Sequence, residues 1–244
     1  MDLALMPAHP APLASPSTHI LLDVDGTLVD SNDQHAQAWV DVLRESGRTV
    51  PFATIRPLIG MGGDKLLPRV TDLDPHGEEA ERLAERRTAL FLERHLPQVR
   101  PLPGTRALCE RLHADGFQLV IATSARESEL DALLRVAGVA DLVDLRTTAD
   151  DATRSKPDPD IVQAALGRAG HGADETIMIG DTPYDIAAAR AAGVDCIALR
   201  SGGWSDDALR DAIAIHDHPA ALLAAIDETP LGLAGRAADR AHAR

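Results

Sequence analysis

The chain alternates short apolar runs with stretches of helical periodicity, and this alternation restricts its fold more than any other feature. The apolar runs cover 19–24, 117–122, 176–179 and 194–199, and the helical patterns cover 105–114, 128–137, 160–169 and 183–192. Short apolar runs that end in turn residues are typical of buried strands, and strands that alternate with helices form parallel sheets covered on both faces. We therefore predict an α/β fold with a doubly wound, mostly parallel sheet.

One long segment interrupts the alternation. From about 31 to 100 the periodicity is helical, most clearly over 37–46 and 78–96, and no convincing strand intervenes. Helices inserted into a strand–helix pattern predict a separate helical subdomain. The predicted units are a flexible tail at 1–18, an α/β core at 19–32 and 99–228, a helical subdomain at 33–98, and a C-terminal tail at 229–244.

Charge and composition limit the partners of the chain. It carries 24 Lys and Arg against 38 Asp and Glu, a net charge of −14, and a field of that sign repels nucleic acids and anionic lipid. No stretch has the roughly 18 apolar residues of a membrane span, 1–18 lacks the pattern of a signal peptide, and two cysteines provide no disulfide framework. We expect a cytoplasmic protein without nucleic-acid or membrane partners, and the sequence leaves the oligomeric state open.

An acidic segment, Asp23-Val24-Asp25-Gly26-Thr27, directly follows the first apolar run. Asp-Gly is a common turn dipeptide, so a polar turn is one interpretation. A calcium-binding loop fits less well, because Gly26 is fourth rather than sixth from Asp23, and the twelfth position is Gln34 instead of Glu.

Polar residues also follow or flank the other strand ends. Thr123 and Ser124 follow the second run, Lys156 precedes a helix, and Asp181 and Asp185 follow the third run. Taken singly, they could be helix caps and a surface lysine. Ligands bind at the carboxyl ends of the strands in open α/β sheets, so we expect these groups to lie at one edge.

Four carboxylates at that edge need a positive partner. If Asp23, Asp25, Asp181 and Asp185 gather within a few ångströms, each pair repels by about 4 kcal/mol at 4 Å and an effective dielectric constant near 20. Oxygen ligands with room for water and phosphate oxygens suit Mg²⁺ better than a dedicated Ca²⁺ cage. We predict a Mg²⁺ cofactor, which together with Lys156 could bind a phosphoryl group.

These motifs, in this order, resemble those of the haloacid dehalogenase superfamily of aspartate-nucleophile phosphohydrolases. The resemblance covers 19 to about 200, and the helical insertion is similar to the small helical cap of that family. It implies that Asp23 attacks phosphorus to form an aspartyl-phosphate and that Asp25 moves the protons. Thr123 and the Ser124 amide would bind the phosphoryl oxygens, and Lys156 would neutralise their charge.

The resemblance also implies a ligand set for Mg²⁺. Asp23, the backbone carbonyl of Asp25 and Asp181 would hold the ion, with Asp185 in direct or indirect support. The implied substrate is a small phosphorylated metabolite, either phosphoglycolate or a sugar phosphate.

Contacts to the rest of the substrate are expected from the glycine-rich segment at 59–65 of the cap, although a plain interhelical turn is an equal alternative. His35 could contact substrate, although a solvated residue of a first helical turn is the favoured interpretation. The charges of 78–94 are expected to form a solvated helix face. The predicted substrate-binding residues are Gly26, Thr27, Ser124, Gly62, Gly63 and Lys65.

Alternative functions remain open at this stage. A phosphomutase of the β-phosphoglucomutase type would use the same nucleophile. A receiver-like phospho-acceptor would use similar residues, but its phosphorylated Asp follows a later strand and it lacks a cap. An inactive binding protein is disfavoured, because every motif residue is present. Dehalogenation is disfavoured, because a halide leaves without the proton that Asp25 would supply. Phosphonate cleavage would require Lys65 to form a Schiff base.

Overall fold

The computed structural model describes residues 19–232. The strands are β1 His19–Leu22, β2 Val29–Asp30, β3 Arg100–Pro101, β4 Gln118–Ala122, β5 Leu145–Thr147, β6 Thr176–Gly180, β7 Asp195–Leu199 and β8 Ala214–His216. The α-helices are α1 Asn32–Glu45, α2 Phe52–Ile55, α3 Gly63–Val70, α4 Glu78–Leu90, α5 Thr105–Ala114, α6 Glu127–Ala137, α7 Asp160–Ala169, α8 Pro183–Ala191, α9 Asp206–Leu209 and α10 Pro219–Ala225.

Six strands form the main sheet in the order β5-β4-β1-β6-β7-β8, and every neighbouring pair is parallel. The predicted α/β fold class is confirmed. The sequence prediction missed β5 and β8, which lie at the two edges of this sheet. Each has three residues and is mostly half-buried, so neither produces an apolar run long enough to recognise.

Both faces of the sheet are covered, as a doubly wound fold requires. Ile20 and Leu22 of β1 point into the larger apolar core beneath α5, α6 and α10, whereas Leu21 points into a second core beneath α7, α8 and α9. Side chains alternate between the faces of a strand, so Ile20, Leu21 and Leu22 of β1 must all be apolar.

The register of the central strands fixes where the functional loops begin. Leu22 of β1 is level with Ile121 of β4 and with Ile179 of β6. The chain therefore leaves all three strands at the same height, and Asp23, Thr123 and Asp181 follow at one edge. The strand order reverses direction around β1, which is where doubly wound sheets bind ligands.

Helices α1 to α4 surround a third apolar core, which includes Trp39, Leu43, Leu67 and Leu83. The antiparallel β2–β3 pair joins this helical unit, the cap, to the core. The predicted helix over 78–96 is divided, because α4 ends at Leu90 and is followed by the π-helical turn Phe91–His95 and the 3₁₀ turn Leu96–Gln98.

The predicted division into units stays a prediction. Residues 1–18 and 233–244, which contain the first predicted tail and most of the second, lie outside the described residues. At the start of the second predicted tail, Leu231 is fully buried in the larger core. Within 19–232, no helix combines the length and the apolar character that a membrane crossing needs.

Candidate active site

The loop after β1 folds tightly against the loop after β6. Gly26 has a φ of 75°, and a Cβ atom at this position would lie 2.1 Å from Oδ2 of Asp181. The Ser201 hydroxyl donates a hydrogen bond of 2.6 Å to the Gly26 carbonyl. Any side chain at position 26 would therefore push Asp181 away, and glycine keeps the two acidic loops in contact.

Lys156 is the positive centre of the cluster. Its side chain is 0% exposed, and its Nζ lies 2.7 Å from Oδ1 of Asp23, 2.7 Å from Oδ1 of Asp185 and 2.8 Å from the Ala122 carbonyl. The ammonium group donates hydrogen bonds to Asp23 and to the Ala122 carbonyl, and its contact with Asp185 is an ion pair. Burial lowers the pKa of Lys156, but the two carboxylates outweigh it and hold the pKa above its usual value.

Neutral donors orient the remaining acids. The Thr27 hydroxyl donates to Oδ1 of Asp181 at 3.2 Å, and the Asn32 amide donates to Oδ2 at 2.8 Å. The hydroxyl and the backbone amide of Thr182 both donate to Oδ2 of Asp185. Thr27 was predicted to bind substrate, but it holds Asp181 in place and is absent from the cavity lining described below.

Asp23, Asp181 and Asp185 are all buried, and each offers an oxygen within 4.8 Å of the others. Burial, and then repulsion from the other acids, raises the pKa of Asp23 to about 7 despite Lys156, and raises that of Asp181 well above its usual value. Three carboxylates against one ammonium leave excess negative charge, and their oxygens are the ligands that hard divalent cations prefer. The donor set therefore fits such a cation.

Asp25 faces a different environment. His35 Nε2 lies 2.7 Å from Oδ1 of Asp25, and the Ser31 hydroxyl donates to the same oxygen at 2.5 Å. Burial alone would raise the pKa of Asp25, but these two neighbours, His35 above all, hold it below its usual value. His35 is buried and stacks on Phe91 with 3.9 Å between ring centroids, so the expectation of a solvated histidine was wrong.

A small cavity of about 50 Å³, called here the inner cavity, lies above Asp23 and between the core and the cap. Thr123 and Ser124, which the resemblance implies as phosphate-binding residues, both line it. The Thr123 hydroxyl accepts a hydrogen bond from the Ala125 amide at 3.1 Å, which leaves its own hydrogen for a ligand. The buried Ser124 hydroxyl oxygen has no partner among residues 19–232.

Arg87 of α4 also lines this cavity, which corrects the prediction of a uniformly solvated helix face over 78–94. Its side chain is 9% exposed, and Nη1 lies 2.6 Å from Oε1 of Glu129 in α6 and 3.1 Å from Nδ1 of His35. The Arg87 guanidinium lies 5.4 Å from the centre of the Trp39 ring. A chain of contacts therefore links the cap to Asp25 through Arg87 and His35.

The sequence contained a signal for these missed residues. Arg87 is four residues after Leu83 and three after Ala84, so it lies on the buried stripe of α4. His35 is four residues before Trp39 and therefore lies on the buried stripe of α1. A charged residue at an apolar position of a helix is a reason to look for a buried partner.

The predicted substrate-binding residues of the cap separate into two groups. Gly62 and Gly63 line the inner cavity at the start of α3. A Cβ atom on Gly62 would lie 2.0 Å from the Ser155 hydroxyl, so the cap approaches the core closely there. Lys65 does not line the cavity, and its Nζ lies 2.5 Å from Oδ2 of Asp158.

Two further predicted residues contact the acids instead of the inner cavity. Gly26 packs against Asp181, and Lys156 contacts Asp23 without lining the cavity. Lys156 can therefore affect a ligand in the inner cavity in two ways. It can act through its contact with Asp23, or it can give up one of its present contacts and bind the ligand directly.

Comparison with known proteins identifies the family. The family model described as haloacid dehalogenase-like hydrolase matches residues 20–199, most of the chain. The chain belongs to the haloacid dehalogenase-like hydrolase family. A phosphoglycolate phosphatase from Nitrosospira multiformis is 34% identical over 184 residues, which cover 73% of this chain and 81% of that protein.

Solved structures agree with this assignment. The crystal structure of a hydrolase from Pseudomonas syringae has a TM-score of 0.78 and 33% identity, and covers 87% of this chain and 99% of that one. A β-phosphoglucomutase from Clostridium difficile shares the fold at 18% identity, with a TM-score of 0.72 over 83% of this chain and 92% of that one. These findings confirm the predicted family and the predicted class of enzyme, a phosphatase.

Proposed function

We propose that this protein hydrolyses a small phosphorylated metabolite with the help of Mg²⁺, through an aspartyl-phosphate on Asp23. The observation that carries this proposal is the buried group formed by Asp23, Asp181, Asp185 and Lys156 next to a cavity lined by Thr123. Relatives named as phosphatases over most of the chain add support.

In the proposed reaction, an oxygen of the Asp23 carboxylate forms a bond to phosphorus, and the bond from phosphorus to the leaving oxygen breaks. The leaving oxygen takes a proton from the hydrogen-bonded pair of Asp25 and His35. Water then attacks the same phosphorus and gives its proton back to the pair, while the bond between phosphorus and the Asp23 oxygen breaks. This releases inorganic phosphate and restores the Asp23 carboxylate. The pair is invoked because His35 lowers the pKa of Asp25, so Asp25 alone is a poor proton store at neutral pH.

Mg²⁺ would be held by Asp23, Asp181 and the backbone carbonyl of Asp25, with Asp185 in direct or indirect support. When bound, it would supply positive charge for the carboxylate and phosphoryl oxygens. Thr123 and the backbone amide of Ser124 would hold the phosphoryl oxygens in the inner cavity, and Lys156 would keep Asp23 ionised and oriented. The cytoplasmic location and the absence of nucleic-acid or membrane partners stay predictions.

The test is a screen of phosphomonoesters with Mg²⁺ that measures inorganic phosphate, with Asp23→Asn as the inactive control. We expect release by the wild type and none by the variant, because the amide has nearly the same size but is a poor nucleophile. Turnover by Asp23→Asn would contradict the covalent route. Formation of a bisphosphate without free phosphate would replace the proposal with a phosphomutase.

A further inference from the structure

A second space adjoins the inner cavity between the cap and the core. This outer chamber has a volume of about 290 Å³, compared with about 50 Å³ for the inner cavity. The two spaces meet at a neck, which we define as the residues that line both: Trp39, Gly62, Gly63, Arg87 and Ser124.

The volumes of the two spaces suit different parts of a substrate. A single water molecule needs about 10–15 Å³ of such space, so the inner cavity holds only a small group, whereas the outer chamber is several times larger. A phosphoryl group above Asp23 therefore fills the inner cavity. The remainder of the substrate has to pass the neck and lie in the outer chamber, which is much larger than a two-carbon leaving group.

The charges of the outer chamber are already balanced. Its lining contains two arginines among the described residues, and each has an acidic partner: Arg87 pairs with Glu129 at 2.6 Å, and Arg126 pairs with Glu81 at 2.8 Å. The same lining contains the carboxylates of Asp64, Glu81 and Asp150. His76, the other basic residue of the lining, is exposed at the rim, where water screens its charge.

A second anionic group on the substrate would therefore meet more carboxylates than free cations. Like charges brought together in a binding site cost several kcal/mol when they are not screened. The chamber suits an uncharged leaving group better than one that carries a carboxylate or a second phosphate.

Two polar groups at the neck have unused hydrogen-bonding capacity. Arg87 Nε is buried without a partner among residues 19–232, although Nη1 of the same side chain is occupied by Glu129 and His35. The Ser124 hydroxyl oxygen is also unpartnered. Buried polar groups in native structures are normally satisfied, so their position points to oxygen atoms of a ligand at the neck.

We propose that the natural leaving group is an uncharged polyol or sugar of more than two carbons that occupies the outer chamber. Arg87 and Ser124 bind its hydroxyl oxygens at the neck and act as specificity-determining residues. This inference rests on the proposed phosphatase function and selects the sugar phosphate class over phosphoglycolate.

The first test compares two phosphate esters of equal carbon number. Phosphoglycolate and 2-hydroxyethyl phosphate differ only in a carboxylate against a CH₂OH group. We expect kcat/KM with Mg²⁺ to be about tenfold or more higher for the hydroxyl compound, equivalent to 1.4 kcal/mol or more. It should rise further for glycerol 3-phosphate and for a hexitol 6-phosphate, which fill more of the chamber. A preference for phosphoglycolate would overturn the inference.

The second test changes the charge of the chamber. Glu81→Gln leaves Arg126 without its acidic partner and should raise the ratio of kcat/KM for phosphoglycolate to that for 2-hydroxyethyl phosphate, by roughly threefold to tenfold. Glu79→Gln is the matched control, because it removes the same charge from the same helix at an exposed pair with Arg48 outside the chamber. An equal ratio in Glu81→Gln and the wild type would contradict the assignment.

The third test uses Ser124→Ala to ask whether the hydroxyl group at the neck binds the leaving group. We expect KM for the hexitol phosphate to rise several-fold while kcat changes less, because the hydroxyl would contact the leaving group. An unchanged KM would remove Ser124 from the proposal. Phosphate release from none of these esters would instead contradict the proposed function, so the two failures are distinguishable.

Discussion

Two buried cations organise this molecule, and they differ in how their charge is balanced. Lys156 lies at the carboxyl edge of the sheet among three buried acids, whereas Arg87 lies between the cap and the core and pairs with the single buried acid Glu129. The Lys156 cluster, formed by Lys156 with Asp23, Asp181 and Asp185, carries excess negative charge. The Arg87 cluster, formed by Arg87 and Glu129, is neutral if the neighbouring Asp25 and His35 are not counted.

This difference separates two kinds of task. Burial, and then repulsion among the acids, raises the pKa values of Asp23 and Asp181, and the oxygens of the Lys156 cluster fit a divalent cation. The neutral Arg87 cluster has no need of a further ion, and Arg87, whose Nε has no partner among residues 19–232, lines the neck between the two cavities. In the reaction that we propose, the first cluster carries out phosphoryl transfer, and the second recognises the rest of the substrate.

The largest expected effect comes from removing the cation of the first cluster. Lys156→Ala should lower phosphate release by roughly 10²-fold or more, because Asp23 loses the charge that keeps it ionised and oriented. Lys156→Met, which retains most of the side-chain volume, should be equally impaired if charge is the cause. Normal rates in either variant would show that Lys156 is not required for turnover.

Removing the cation of the second cluster should affect stability first. Arg87→Met leaves Glu129 buried and unpaired, so the free energy of unfolding should fall by about 3 kcal/mol in chemical denaturation. Glu129→Met in the same chain should recover most of this loss without restoring substrate preference. Arg48→Met, which breaks an exposed pair with Glu79, is the control and should cost less than about 1 kcal/mol. Equal stability of Arg87→Met and the wild type would contradict a buried pair.

The excess negative charge of the Lys156 cluster can be tested by measuring how the stability of the metal-free protein depends on pH. The pKa of Asp23 in the folded chain is about 7, above its usual 3.8. In the metal-free protein, the unfolded chain therefore loses this proton first as pH rises from about 4 to 7, and stability falls over that range.

Saturating Mg²⁺ should offset this loss, so it should raise Tm more at pH 7.5 than at pH 5. At a concentration of about 100 Kd the increase at pH 7.5 should be roughly 5–10 °C. Equal increases at the two pH values would contradict a cluster whose acids resist ionisation without the cation.

The smallest expected effect is that of Lys65, which belongs to neither cluster. Its partner Asp158 lies outside the inner cavity, and both side chains are about one-third exposed. Lys65→Ala should therefore change kcat/KM by less than about threefold and stability by less than about 1 kcal/mol. A tenfold rise in KM would return Lys65 to the substrate site, where the sequence pattern had suggested it.

The same comparison explains what the sequence could predict. Asp23, Thr123 and Asp181 follow apolar runs that become neighbouring parallel strands, so strand register alone brings them together. Arg87 and Glu129 meet only because the cap docks on the core. No strand pairing relates these two helices, so the sequence pattern could not predict this contact. The edge strands β5 and β8 were missed because three half-buried residues give too short a pattern.

Chemical trapping of the phosphoryl group on Asp23 tests the central claim most directly. The enzyme would be quenched during turnover with Mg²⁺, reduced with borohydride, which converts an aspartyl-phosphate to homoserine, and sequenced by mass spectrometry. Homoserine at position 23 in the wild type, and at no position in Asp23→Asn, is the predicted result. A reduced residue elsewhere, or turnover that leaves residue 23 unlabelled, would contradict the account.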